Sequence, residues 1–418
     1  VTRSWSTIRW FNRPPANGSA GPLPRFDRAD FTPALRTRLL VLQPTPFCNL
    51  DCDYCYLPGR HVRARMAPAT AALAARRLLD DGLVGDELTV VWHAGEPTVL
   101  PVAWYEDTFG RLQEVLGPHT AVRHALQTNA TLIDDAWCAL LRRWQVQVGV
   151  SLDGPAALHD RHRKTRDGRG THARTLRGLR RLQAAGIDCH AIAVVTADTL
   201  AAPDAFIDFF EQQGLTQLGC NFDEAEGVHT RSSLAGQEAA HAAFLQRLLV
   251  RCGARGARLQ VRELAMAQQL VARPLPLQRW RGHRWPDNAQ VLPFALVNVA
   301  HDGGFSTFSP ELLGQHAPAF DHFVFGNVHD GGALAAAAHP AFLRCWQQVL
   351  QGITACERDC AHFGFCGGGS PANKLYELGT LAGAETLYCR SMLKRPFDAV
   401  LAHAEQALRP TATAALAA

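Results

Sequence analysis

Three cysteines in one short run, FCNLDCDYCYLPGR, constrain this chain most: Cys48, Cys52 and Cys55 are spaced C-x3-C-x2-C directly after the apolar stretch LLVLQPTP. Three thiolates from a single loop can hold three irons of a 4Fe-4S cube and leave the fourth iron free to bind something else. A structural zinc, the competing reading, needs a fourth protein ligand and favours paired C-x2-C units over a lone trio. Chemistry is therefore expected to start at an open iron.

The rest of the chain gives that loop a frame. From about residue 38, strand-like runs alternate with Ala- and Leu-rich amphipathic segments: TRLLVLQ, ELTVVWH, AVRHALQT, VQVGVSL, CHAIAVV and TQLGCNF. Six such repeats predict an α/β fold, a partial (β/α)6 TIM-like barrel over 38–230, with function at the C-terminal ends of its strands. Residues 1–37 read as an N-terminal arm, 231–295 as a linking helical segment broken by Pro274, Pro276 and Pro286, 296–395 as a second, cluster-bearing domain, and 396–418 as a C-terminal helix and tail. At 418 residues, one large domain with a smaller appended one is the natural division.

Composition narrows the function classes. A net charge of +4 is too small to imply nucleic acid, and no apolar run approaches the length of a membrane span. Twelve cysteines without a secretory h-region near Val1 point to ligands rather than disulfides, and to the cytoplasm.

A second motif follows the second strand, where VVWHAGEPT places a Gly95-Glu96-Pro97 turn. Such a turn lets backbone carbonyls and one carboxylate approach an ammonium group. His93, beside it, reads equally as a packed or a catalytic histidine. Near the C-terminus, CERDCAHFGFCGGGS and LYCRS supply Cys356, Cys360, Cys366 and Cys389. Four thiolates saturate a 4Fe-4S cube, so this group would handle electrons; zinc is the alternative occupant. Taking three and four ligands from the twelve leaves Cys138, Cys189, Cys220, Cys252 and Cys345, mostly in apolar contexts. Cys345, on the approach to Cys356, is the one to watch as a further ligand.

The first cysteine motif, with Tyr54 just before its third cysteine, resembles the radical SAM superfamily. AGEP resembles that superfamily's Gly-Gly-Glu-Pro motif, with Ala94 in the first glycine position. The resemblance implies a cluster-bound S-adenosyl-L-methionine (SAM) whose ribose and methionine groups meet Gln127, Asn129, Ser151 and Asp153, whose carboxylate meets Arg163 with Arg161 close behind, and whose adenine packs on Val195. The C-terminal cysteines resemble the SPASM extension of peptide-modifying members, a SPASM/twitch-like iron-sulfur domain. A full SPASM domain holds two auxiliary clusters. Here Ser370 stands where one ligand of the first would be, and GGFSTFSPE supplies Ser306 and Ser309 where another cysteine is expected. One auxiliary 4Fe-4S cluster is therefore expected.

Phrases such as QPTPFCNLDCDYCYLPGR, WHAGEPTVLP and CGGGSPANKLYELGT look like the cyclophane-forming radical SAM/SPASM peptide maturases. That family would imply a ribosomal precursor peptide in which an aromatic ring is joined to the β-carbon of a residue two positions away, and an external one-electron reductant of flavodoxin or ferredoxin type. Thioether-forming and formylglycine-forming (sulfatase-maturase-like) enzymes are the rivals; a non-catalytic iron-sulfur carrier would have no need of the Gly95-Glu96-Pro97 turn. Asp223 or His93 is the expected proton acceptor, and Asn221 a substrate-facing residue. The basic stretch 161–181, nine Lys and Arg against Asp167 alone, reads either as a solvated face or as a dock for an acidic leader. In the arm, Trp5, Trp10, Phe11 and Asn12 resemble a core peptide, though aromatics packed on the barrel are the plainer reading. Two four-iron cubes put about eight irons on each reconstituted chain; iron quantification near twelve would instead show a second auxiliary cluster.

Overall fold

The computed structural model describes residues 23–408; Trp5, Trp10, Phe11 and Asn12 lie outside them. Its strands, in chain order, are β1 (Phe31–Thr32), β2 (Leu39–Leu42), β3 (Glu87–Trp92), β4 (Ala121–Thr128), β5 (Gln147–Ser151), β6 (Cys189–Val195), β7 (Gln217–Phe222), β8 (Gln260–Val261), β9 (Leu277–Trp280), β10 (His283–Pro286), β11 (Leu296–Val299), β12 (Gly304–Thr307) and β13 (Gly326–Asn327). One sheet runs β13-β12-β11-β2-β3-β4-β5-β6-β7-β8, and a smaller one runs β1-β9-β10. From β2 to β8 every neighbouring pair is parallel. The six expected strand runs are β2 to β7, so the α/β core of parallel strands and crossover helices is as read from the sequence.

The helices form where small and apolar residues recur at helical spacing. The helix Val102–Leu116 buries Tyr105, Thr108, Phe109, Leu112 and Leu116, a stripe that faces the sheet. Trp92 of β3 meets it, with ring centroids 5.3 Å from both Tyr105 and Phe109. His124 of β4 stacks on Phe109 at 4.3 Å, and Phe222 of β7 meets His241 of the helix Glu238–Cys252 at 4.2 Å.

These contacts assign the two faces of the sheet. Residues in parallel register share a face, so Leu42, Trp92 and Leu126 point to the helices together. Val195 is paired with Phe222 and points the same way. Val91, Gln127, Ser151, His190 and Val194 occupy the other parity, and all are half-buried where their neighbours along the strand are mostly buried. An inner face of half-exposed side chains belongs to an open chamber rather than a packed core.

The C-terminal segment does not stand apart from the barrel. β11 pairs in parallel with β2, Leu296 against Leu39 through Val299 against Leu42, and the β12 and β13 strands continue the same sheet. The edge of β2 would otherwise present unpaired backbone groups. At the opposite edge the helix Arg262–Ala272 follows β8, and the C-terminal helix Arg395–Leu408 packs on it and on Glu238–Cys252. Among the described residues, no helix is long and apolar enough to cross a membrane. Trp92 has no exposure, so Trp92→Ala should lower stability by about 3–5 kcal/mol, measured as the shift in equilibrium urea unfolding of the full chain; a cost under about 1 kcal/mol would contradict this packing.

Candidate functional site

The loop after β2 carries the first three cysteines and is held by backbone bonds at several points. The Cys48 N–H donates to the Arg60 carbonyl at 3.0 Å, and the Cys55 N–H to the Cys52 carbonyl at 3.3 Å. Arg166 donates to the Cys48 carbonyl through Nη2 at 2.8 Å and Nε at 3.1 Å, and Arg60 to the Cys52 carbonyl at 2.9 Å. The Leu50 N–H reaches Cys48 Sγ at 3.4 Å. Burial, reinforced by Glu96, Cys52 and Cys55, pushes the Cys48 thiol up to about 12; burial pushes Cys52 up to about 11.

Three thiols on one fastened loop, near enough that Cys55 acts on both Cys48 and Cys52, fit the three-ligand side of an iron-sulfur cube. Among the described residues, no three His, Cys, Asp or Glu side chains close on a point as a single metal ion requires; a four-iron cube spans more space and takes sulfurs held further apart.

The second motif is built against this loop. Ala94 and Gly95 take φ values of 69° and 56°. A Cβ on Gly95 would lie 2.5 Å from the Phe47 carbonyl oxygen and 2.6 Å from that of Thr45, so only glycine lets the turn approach. The Glu96 N–H then bonds the Phe47 carbonyl at 2.9 Å. The expected ammonium ligand, Glu96, is 2% exposed and already engaged. Its Oε1 accepts from the Thr98 N–H at 3.0 Å, from the Thr98 hydroxyl and from the Thr128 hydroxyl at 2.7 Å, and its Oε2 from the Asn129 N–H at 2.8 Å. Burial raises its pKa while these donors oppose the rise. Pro97 opens the short 3-10 turn that Glu96 caps. Asn129 is likewise committed: its Nδ2 donates to Asn49 Oδ1 at 2.8 Å, one residue from Cys48. Glu96 and Asn129 thus hold the ends of β3 and β4 to the cysteine loop.

Tyr54, Asp153 and Arg163 also form one unit. Arg163 donates to Asp153 through Nε at 2.9 Å and Nη2 at 3.0 Å, the Tyr54 hydroxyl bonds Asp153, and the guanidinium lies 5.4 Å from the Tyr54 ring centroid. Burial works to raise the Asp153 pKa, but Arg163 carries it below the usual carboxylate range. Arg163, expected at a ligand carboxylate, has a protein carboxylate instead. Arg161 pairs outward with Asp198 at 3.1 Å. With Arg163 and Arg166 tied inward and Arg169 paired with Asp167 at 2.8 Å, much of the basic stretch is spent within the fold.

Gln127 and Ser151 face the chamber and meet, Nε2 to Oγ at 3.0 Å. A Cβ on Gly149 between them would lie 2.1 Å from Gln127 Oε1. Val195 is corrected: its side chain has no exposure and belongs to the core on the helix face, because alternation turns Val194 inward instead. Asn221 is exposed and accepts from Arg262 at 2.7 Å.

Neither expected proton acceptor is well poised. Asp223 accepts from His229 Nε2 at 2.9 Å and the Ser233 N–H at 2.6 Å; burial works upward on its pKa, yet these bonds hold it below the usual range. His93 Nε2 lies 3.2 Å from the Tyr56 hydroxyl, and burial lowers its pKa. Sequence reasoning missed a nearby group. Glu224, Glu226 and Glu311 lie near one another: burial pushes Glu224 up to about 8 with Glu311 adding to it, Glu226 is driven well up by burial and by both others, and burial raises Glu311. They come from the loop after β7 and the turn after β12, so no spacing in the chain announces them. A Cβ on Gly227 would lie 2.2 Å from the Tyr56 carbonyl, which ties this loop to the residue after Cys55.

In the C-terminal segment, Cys356 and Cys360 sit one turn apart at the end of the helix Pro340–Asp359, Cys366 ends the helix Phe363–Cys366, and Cys389 opens a π-helical turn. Gly367, Gly368 and Gly369 all take positive φ, and the Asn288 amide holds the Cys366 and Gly369 carbonyls at 2.9 Å each. Burial raises Cys366 and Cys389, with the charge of Cys356 adding to both and that of Cys389 to Cys366. Cys356, Cys366 and Cys389 thus lie close together and Cys360 follows Cys356 by one turn, a donor set that fits one auxiliary cube. Cys345 is fully buried in the core. Ser309 and Ser370 meet, with hydroxyls 3.5 Å apart; Ser309 also reaches Gln290 at 3.3 Å, and Ser370 caps the helix Pro371–Leu378. Ser306 is turned to the Thr307 carbonyl instead.

Residues 42–210 match the family model described as the Radical SAM superfamily. An uncharacterized protein of Synechocystis is 37% identical over 380 residues, covering 89% of this chain and 93% of that protein. A serine-type anaerobic sulfatase-maturating enzyme of Klebsiella aerogenes is 34% identical over 195 residues, 46% of this chain and 48% of that enzyme, so the match spans about half of it. Among solved structures, anSMEcpe with bound AdoMet superposes at TM-score 0.71 with 19% identity, over 88% of this chain and 98% of that one. Streptococcus suis SuiB bound to precursor peptide SuiA superposes at 0.57 with 15% identity, over 85% of this chain and 76% of that one. At these identities the structural likeness is one of fold.

A carboxyl whose folded pKa lies above its ordinary value binds its proton more tightly when folded, so its contribution to stability is full below the ordinary value and is lost as pH rises through the folded one. For Glu224 that window runs from about 4.5 to about 8. Urea midpoints should fall across it, and Glu224→Gln should flatten the fall by on the order of 1–2 kcal/mol; an unchanged slope would remove Glu224 from the group.

Proposed function

The chain belongs to the radical SAM superfamily, and from that footing we propose that it is a peptide-modifying enzyme that forms a carbon-carbon crosslink between an aromatic side chain and the β-carbon of a nearby residue. With SAM bound at the Cys48, Cys52 and Cys55 cluster, the cofactors would supply a 5'-deoxyadenosyl radical able to take hydrogen from an unactivated carbon. Everything else falls to the chain. The inner face around Gln127, Ser151 and His190 offers polar groups for the ribose and methionine ends of SAM, while Glu96, Asn129, Asp153 and Arg163 hold the strand ends that surround them. A site shielded from water would keep competing hydrogen donors away from a carbon radical.

Closing a ring onto an aromatic side chain leaves one electron and one proton to be removed. Cys356, Cys360, Cys366 and Cys389 would hold the electron acceptor. Glu224 and Glu311, raised by burial, would hold an accepted proton more firmly than Asp223, with Glu224 ready to take one as the pH approaches about 8. The observation that supports the crosslinking reading is the Ser309 and Ser370 contact at 3.5 Å: serines in mutual reach at two positions where a full SPASM domain would place ligands favour one auxiliary cluster over two. The formylglycine-forming alternative has its own support, the curated sulfatase-maturating relatives.

The test incubates reconstituted enzyme anaerobically with SAM, dithionite and precursor peptides carrying either aromatic three-residue motifs or cysteines. Expected are 5'-deoxyadenosine, a loss of two hydrogens in the aromatic peptide, and missing fragment ions between the joined residues; Cys52→Ala should abolish all three. A product that reacts with hydrazide, or one formed only on cysteine peptides, would replace this reading with the formylglycine or the thioether one.

A further inference from the structure

Lys374 sits where a lysine is costly. It is 2% exposed, and its Nζ has two partners: the Gly352 carbonyl at 3.1 Å and Cys356 Sγ at 3.2 Å. Neither is a carboxylate. A buried ammonium facing a carbonyl and a neutral thiol is poorly compensated.

The fold makes room for it on both sides. Gly352 lies within the continuous helix Pro340–Asp359, and a Cβ there would lie 2.4 Å from the Leu381 carbonyl oxygen and 3.0 Å from Lys374 Nζ. A Cβ on Gly369 would lie 3.3 Å from Cys389 Sγ and 3.8 Å from Lys374 Cε. The ammonium is thereby admitted among the cysteines. Lys394 is the contrast: it lies near Cys360, but its charge is already paired with Glu385 at 2.9 Å.

We infer that Lys374 is the built-in countercharge of the auxiliary cluster and makes that cluster a stronger electron acceptor. The inference rests on the reading that Cys356, Cys360, Cys366 and Cys389 hold an iron-sulfur cube. A cube ligated by four thiolates is a net anion, which supplies what the buried ammonium lacks. Each electron added makes it more negative, so a fixed cation 3.2 Å from one ligand sulfur stabilises the reduced form over the oxidised one. Hydrogen bonds and charge at the sulfurs are established levers on such potentials. Lys374 acts through Cys356, so it is a positioning residue for charge and not a catalytic one.

The test uses the full chain with Cys48, Cys52 and Cys55 all replaced by alanine, so that the auxiliary cluster alone remains. Iron and zinc are quantified, and the cluster is titrated by potential with its EPR signal as the readout. If this chain binds no iron, or binds zinc, the four-cysteine reading itself fails. With iron bound, Lys374→Met and Lys374→Gln should each disfavour reduction at least tenfold, about 59 mV for a one-electron couple, while Lys374→Arg stays within threefold of the parent. Should the methionine variant lose its iron, the glutamine variant decides. A glutamine or methionine variant with full iron and a reduction equilibrium within twofold of the parent overturns the inference.

Discussion

The Glu96 carboxylate is the knot on which the site depends. Buried at 2% exposure, it gathers donors from Thr98, Thr128 and Asn129, and so joins the end of β3 to the end of β4. Gly95 lets the same turn press on the carbonyls of Thr45 and Phe47, immediately before Cys48. A buried carboxylate left short of donors is expensive, so the strand ends and the cysteine loop are specified together. The chamber beyond them can then stay open without losing its shape.

A second constraint operates between barrel and C-terminal segment. Glu224 bonds the Asn373 amide, and the Tyr376 hydroxyl donates to the Glu311 carbonyl at 3.1 Å, so the carboxylate group is assembled only when the loop after β7 meets the helix Pro371–Leu378. That helix also carries Lys374 to the four cysteines. Its start is Ser370, in contact with Ser309. One short helix thereby joins three features: the seam between the segments, the Ser309 and Ser370 contact, and the approach of Lys374 to Cys356.

Much of this was legible in the chain because short spacings encode it. The cysteine runs and the Gly95-Glu96-Pro97 turn are local, and alternating apolar runs announce β2 to β7. The individual SAM contacts were harder, since the same residue types serve structure. Arg163 and Asp153 were read as ligand-facing, yet they satisfy each other at 2.9 Å. Val195 was misread because a strand's parity, set by the register with Phe222, decides which of two adjacent valines looks inward. The buried carboxyls went unseen, since Glu224 and Glu311 are far apart in the chain and neither sits in a motif.

By itself, then, the sequence determined the ligand chemistry and the alternation of strands and helices, because thiol spacing and periodic burial act over a few residues. Which carboxyls are buried together, which charges are neutralised inside the protein, and which lysine reaches a cysteine sulfur were decided only by the tertiary structure. Those properties depend on desolvation and on distances of a few ångströms between segments remote in the chain, and no local pattern carries that information.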